Sequence, residues 1–191
     1  MINEFSAVSI KKASLQFITG GVAEAGTPFG CMGTLDAETE MVEKTKNCEG
    51  VIETISIPQY MTVTVAGHVK RDVLRELFGI TTEGLKEGIY SYGISSKGKR
   101  FIFTADVIDE FEDVVQLIAF PKGSSVTGLT LSIDNDADEV PYMELEFRAN
   151  ADELGNFYYE AFYDEVEETI QTAWHTGFTT ELIQTPETPE V

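Results

Sequence analysis

The stretch Gln59–Gly79, QYMTVTVAGHVKRDVLRELFG, constrains the fold more than any other, because its hydrophobic period changes partway along. Met61, Val63 and Val65 alternate with Tyr60, Thr62 and Thr64, the pattern of a strand with one buried face. Val69, Val73, Leu74, Leu77 and Phe78 then fall on one helical stripe, and Gly79 suits the left-handed position just past a helix end. A strand that feeds directly into an amphipathic helix, over about residues 69–78, must pack that helix across a sheet.

Most other periodic segments read as strands. Ser14–Ile18, Thr34–Glu43, Val51–Ile57, Phe101–Ile108, Val114–Phe120, Val126–Ile133, Tyr142–Ala149 and Phe157–Tyr163 carry the β pattern, and a short strand is expected around Ile89–Ile94. Gly20–Gly33 and Lys44–Gly50 read as loop and turn, with Pro58 punctuating the strand between Val51 and Val65. Val114–Phe120 is nearly all apolar and suits a strand buried on both faces. A second short helix is expected in Glu165–Phe178, with Trp174 as a core or interface anchor. The expected architecture is mainly β, a β-sandwich or partly closed barrel with one principal flanking helix. Residues 1–13 form an N-terminal arm, 14–178 the domain, 81–100 a long loop within it, and 179–191 a flexible C-terminal tail.

Charge narrows the function. Against 33 acidic residues stand 13 Lys and Arg, a net charge of −20, so affinity cannot come from neutralising nucleic-acid phosphates. In Thr34–Glu43, Asp36, Glu38 and Glu40 line one face of a strand that must be wet on that side. Cations gather instead on the long loop, Lys86, Lys97, Lys99 and Arg100, a patch suited to an acidic neighbour, while Arg71 and Arg75 lie on the polar side of the helix as further candidate contacts. The N-terminus lacks the order of a secretory signal, and no apolar run approaches the roughly 20 residues of a membrane span, so synthesis in the cytosol is expected. Cys31 and Cys48 are read as reduced thiols, although spacing alone does not exclude a pair.

Catalytic chemistry has little to build on. His68 and His175 sit in no motif and read as structural; the cysteines and histidines lack the spacing of a zinc site. Asp134, Asp136 and Asp138 begin like a calcium loop, but Glu139 and Leu145 stand where an EF-hand needs Gly and Glu. No enzyme, cofactor or metal is expected.

The order of several pieces is informative. TLDAETEMVE is followed by a turn containing NCEG, then by TVTVAGHV and a helix ending LFGI; YYEAFYDE and a segment containing AW come late. Over most of residues 10–178 this arrangement resembles the major tail (tail tube) proteins of siphophages infecting Gram-positive bacteria. The resemblance implies a virion tail protein assembled in the host cytoplasm, whose hexameric rings stack into a hollow tube. It implies tape-measure, tail terminator and distal tail proteins as partners, DNA passing without specific binding, and no membrane role. On that expectation Asp36, Glu38 and Glu40 face the lumen, and the cationic helix and loop, with the two arms, make subunit contacts. The competing expectations are a calcium- or carbohydrate-binding β-sandwich, with Tyr158 and Tyr163 as candidate glycan contacts, and another virion component such as a tail terminator or head decoration.

Overall fold

The computed structural model describes residues 5–48, 51–111, 113–131, 133 and 140–185. The acidic cluster at 134–138, part of the NCEG turn, and the outermost residues of the arm and tail lie outside them. The described strands are β1 (Ser9–Thr19), β2 (Val22–Ala23), β3 (Thr27–Pro28), β4 (Gly30–Cys48), β5 (Val51–Val69), β6 (Arg100–Asp109), β7 (Val114–Ser125), β8 (Met143–Ala149) and β9 (Tyr159–Phe162). The helices are α1 (Arg71–Phe78), α2 (Glu168–Ala173) and α3 (Thr180–Ile183). None of the described helices is long and apolar enough to cross a membrane.

All strands join one antiparallel sheet of nine, in the order β2-β1-β6-β7-β8-β5-β4, with β3 on β1 and β9 on β7. The sheet curls until β1 and β4 come together, which makes the partly closed barrel expected from the sequence. Its concave side holds the main core. Phe103, Phe120 and Phe147 pack with ring centroids 5.5–6.3 Å apart, and Val73, Leu77 and Phe78 of α1 close over the same cluster. On the convex side Ile102, Leu117 and Ala119 are covered by Trp174 and Phe178 of the C-terminal segment. β6 and β7 are therefore buried on both faces, as the nearly continuous apolar run in β7 requires.

The switch from strand to helix falls where the period changes, but β5 keeps Val69, and α1 begins only at Arg71. Gly79 ends α1 at φ 64°, with its N–H bonded to Glu76 O and the Ile80 N–H bonded to Arg75 O, a Schellman arrangement.

Several boundaries differ from the sequence reading, each for a local reason. β1 starts at Ser9, inside the expected arm. A bulge at Lys11–Ser14, with Lys12 at φ 50°, inserts a residue and breaks the two-residue period, so that Ile10 and Ala13 both face the core. The glycine-rich loop is largely strand, and Gly30 opens β4 so close to β5 that a side chain there would strike His68 O. The expected turn at Lys44–Gly50 is instead the continuation of β4 through Cys48. Pro58 does not interrupt β5, because it sits at a bulge opposite Met41, beyond the part of β5 that β8 borders. Ile89–Ile94 contributes only an isolated bridge, Thr81 to Ser91. Val126–Ile133 forms no strand among its described residues; β7 runs on to Ser125 and takes the β8 edge, leaving Val126 and Leu131 exposed. The expected second helix shortens to α2, and the expected tail begins with one helical turn capped by the Thr179 hydroxyl.

Phe147 is fully buried between Phe101, Phe103 and Phe120. Phe147→Ala is expected to lower the unfolding free energy by about 3–5 kcal/mol in urea titration, and Leu77→Asp to abolish cooperative folding.

Candidate assembly surface

β4 and β5 are each 19 residues long, far longer than the rest of the sheet can support. β8 borders β5 only from Met61 to Gly67. From the Met41–Pro58 pair outward to Cys48–Val51, the two strands pair only with each other among the described residues. They form a two-stranded arm that reaches roughly 25 Å beyond the sheet at about 3.3 Å per residue. Met41, Ile52, Ile55 and Ile57 are exposed on it, Ile52 at 68% and Ile55 at 58%. A free two-stranded ribbon is marginally stable in water, and one that displays isoleucines on both faces calls for a covering partner.

At the root of the arm the solvent face of β4, β5 and β8 is acidic. Cross-strand pairing sets Asp36 beside Thr64 and Glu146, and Glu38 beside Thr62 and Arg148. Glu40 pairs with Tyr60, and Glu144 lies opposite Ala66. The sequence placed Asp36, Glu38 and Glu40 on one wet face; the register adds Glu144 and Glu146 to it. Arg148 provides a cation there, and its guanidinium lies 3.9 Å from the centre of the Tyr60 ring.

The six expected interface cations differ in how far they are engaged within the chain. Arg75 turns inward, its guanidinium 3.5 Å above the Tyr90 ring and 3.3 Å from Asp72, and so ties the long loop to α1. Lys99 bridges Glu76 at 2.8 Å and Glu24 at 3.2 Å, and the Glu76 hydrogen bond is the main reason its pKa is raised. Arg71, Lys86, Lys97 and Arg100 are exposed. Tyr158 and Tyr163 do not converge on a cleft: the Tyr158 ring packs on Phe120 inside the barrel, whereas Tyr163 sits in a 3-10 turn after β9. Cys31 and Cys48 belong to the same extended strand, 17 positions apart and on the order of 50 Å. They cannot pair within one chain.

Sequence reasoning missed a partly buried polar cluster. His175 Nε2 lies 2.7 Å from Asp106 Oδ1, its Nδ1 lies 3.0 Å from the Thr104 hydroxyl, and Lys12 Nζ lies 2.9 Å from Asp106 Oδ2. The residue types match a nucleophile, base and carboxylate, but Thr104 is fully buried in β6, with no room for a substrate. What the cluster does is fasten the C-terminal segment to the sheet. The Ser14 hydroxyl also donates to His175 O, and Trp174 Nε1 donates to Ile118 O. Burial alone would raise the Asp106 pKa, yet hydrogen bonds from His175 and Lys12 more than offset this and hold it below the usual carboxylate value. The only sequence signal was polar alternation on β6, at Thr104 and Asp106, where the convex face needed apolar residues. Among the described residues no group of three or more His, Cys, Asp or Glu is placed to hold a metal ion.

No protein-family model and no curated protein matches the sequence. Among solved structures, the chain is similar to the tube-terminating cap of the anti-feeding prophage, at 10% identity and TM-score 0.44, covering 84% of this chain and 94% of that one. It is also similar to a chain of the sheath–tube complex of the PVC extracellular contractile injection system, at 9% identity and TM-score 0.41, covering 78% and 88%. The sheath/tube terminator of that system matches at 8% identity and TM-score 0.41, covering 84% and 99%. Likeness of this degree assigns no function.

Because the folded Asp106 pKa is lowered, its carboxylate stabilises the fold above the unfolded-chain value, and that contribution is lost as pH falls through the folded value. Thermal melts of the wild type should therefore weaken on acidification below about pH 4. Asp106→Ala should cost about 3 kcal/mol at neutral pH and flatten that acid dependence.

Proposed function

We propose that this protein is a non-enzymatic structural subunit of a phage-tail tube. The observation that carries the reading is the arm made by β4 and β5. It is a long ribbon with unpaired edges and exposed isoleucines, a liability in a monomer unless another subunit covers it. Ring closure and stacking satisfy such edges, since heterologous contacts close into rings when the rotation permits and otherwise continue as filaments. The sequence resemblance to siphophage major tail proteins supports the finer form: hexameric rings stacked into a conduit, with tape-measure, terminator and distal tail proteins as neighbours.

In this reading the acidic face bearing Asp36, Glu38, Glu40, Glu144 and Glu146 lines the lumen, where it denies phosphates any contact and lets DNA slide. The β4–β5 arm makes the contact between rings, a role that the resemblance suggested for the loop at 81–100 and the two terminal arms. Exposed Arg71, Lys86, Lys97 and Arg100 remain candidates for contacts between neighbours. A tail terminator is the second reading, and it differs in forming rings that do not stack.

Negative-stain microscopy of the concentrated protein tests the proposal. Hollow tubes are expected from the wild type. Replacing residues 42–57 by an Asn-Gly turn should leave a folded, soluble subunit that makes no tubes. Tubes of normal length from that variant would refute the role of the arm, and rings without stacks from the wild type would favour the terminator.

A further inference from the structure

The curl of the sheet leaves a slot. β3 pairs with β1 at Ser14 and Leu15, and the Phe29 N–H donates to Ala13 O, so β1 and the start of β4 are joined at one end. Away from that end the strands part, and no ladder joins β1 to β4 among the described residues. β1 is bonded on its other side to β6, and β4 on its other side to β5, so two free strand edges face each other. Between them lies a cavity of about 520 Å³, walled by Ala7–Ile10 and Gly33–Ala37. Its floor is the open end of the core, Met61, Val107, Ile118, Phe120 and Tyr158, together with the polar Gln116. Free edges above a largely apolar floor are what an added β-segment recognises, with main-chain bonds at the sides and aliphatic side chains below.

We infer that the slot is the receptor for the β4–β5 arm of a second copy of this chain, a reading that rests on the proposed self-assembly and adds where the arm docks. Three observations favour this occupant. The arm offers β-structure with an unpaired edge, and one face of it sets Val42 against Ile57 and Lys44 against Ile55. Its aliphatic groups match the floor, and Lys44, set against Ile55 and not against a carboxylate, complements Asp36 on the wall, whereas Lys46 stands opposite Glu53. Finally, the arm cannot fill its own slot. β4 is the wall of that slot and continues without a turn into the arm, so arm and slot can meet only between copies. Such a contact is heterologous and propagates from copy to copy.

The test uses the full chain with Cys31 and Cys48 replaced by Ser. Ala7→Cys on the slot wall is combined with Ile55→Cys on the arm, and the assembled protein is oxidised. A ladder of covalent oligomers on non-reducing gels is expected, and it should be lost when either cysteine is omitted. In the control, Phe111→Cys replaces Ala7→Cys; Phe111 lies in the β6–β7 turn, is 81% exposed and is not part of the slot. Tubes without the Ala7–Ile55 adduct, or an equal ladder from the Phe111 control, would overturn the docking while leaving self-assembly intact; a slot that takes some other partner gives the first of these. Absence of any assembly in the wild type would overturn both.

Discussion

Phe29 holds the curl of this molecule together. Its N–H donates to Ala13 O of β1, and its carbonyl accepts from the Lys70 N–H at the start of α1. Its fully buried ring packs edge-on against Phe103, 6.1 Å away. One residue thus ties the first strand, the junction of β5 with α1, and the core. Because the tie is at one end only, the sheet closes there and stays open at the other. The barrel core, the placement of α1 and the slot between β1 and β4 follow from that asymmetric closure.

Burial is spread over two faces, and each has its own cover. The concave face is filled by phenylalanines and closed by α1. The convex face is covered by Trp174 and Phe178, with a polar clasp of His175, Asp106, Lys12 and Thr104 beside them. An apolar cover alone would slide, since the hydrophobic effect is non-directional. The clasp and the Trp174 hydrogen bond fix the register of the C-terminal segment. The same cluster shows why residue types alone do not make a catalytic site: Thr104 has the partners of a nucleophile and no access to a substrate.

The surface reads as the complement of this economy. Apolar groups that the fold could have covered are covered, and those left out are concentrated on the β4–β5 arm and the loops. Carboxylates crowd the outer face of β4, β5 and β8, where repulsion is tolerated because water screens it. On the proposed assembly, an acidic wall beside an edge-exposing arm would let subunits meet at the arm and repel polyanions at the wall.

What was legible in the sequence follows from periodicity. Alternation in Met61–Val65 and Met143–Ala149 marked strands with one buried face, the nearly continuous apolar run marked β7, and the change of period with Gly79 marked α1. The alternation of Asp36, Glu38 and Glu40 correctly predicted a shared wet face, because side-chain direction in a strand is a local property. The arm was legible only in part. Val51–Ile57 read as a strand, but both faces of 44–47 and 52–58 meet solvent, so nothing selects an apolar row, and Lys44–Gly50 read as a turn. The bulge at Lys12 hid the start of β1 for a related reason, since one inserted residue shifts the pattern. Spacing could not bring Lys12, Asp106 and His175 together, or set the slot between β1 and β4. Those depend on long-range pairing and on the direction in which the sheet curls. The sequence by itself determined the strands and the helix that have one clearly buried face, and which face that is. Only the tertiary structure decided which edges are left free, because an edge is defined by the strand that is missing beside it.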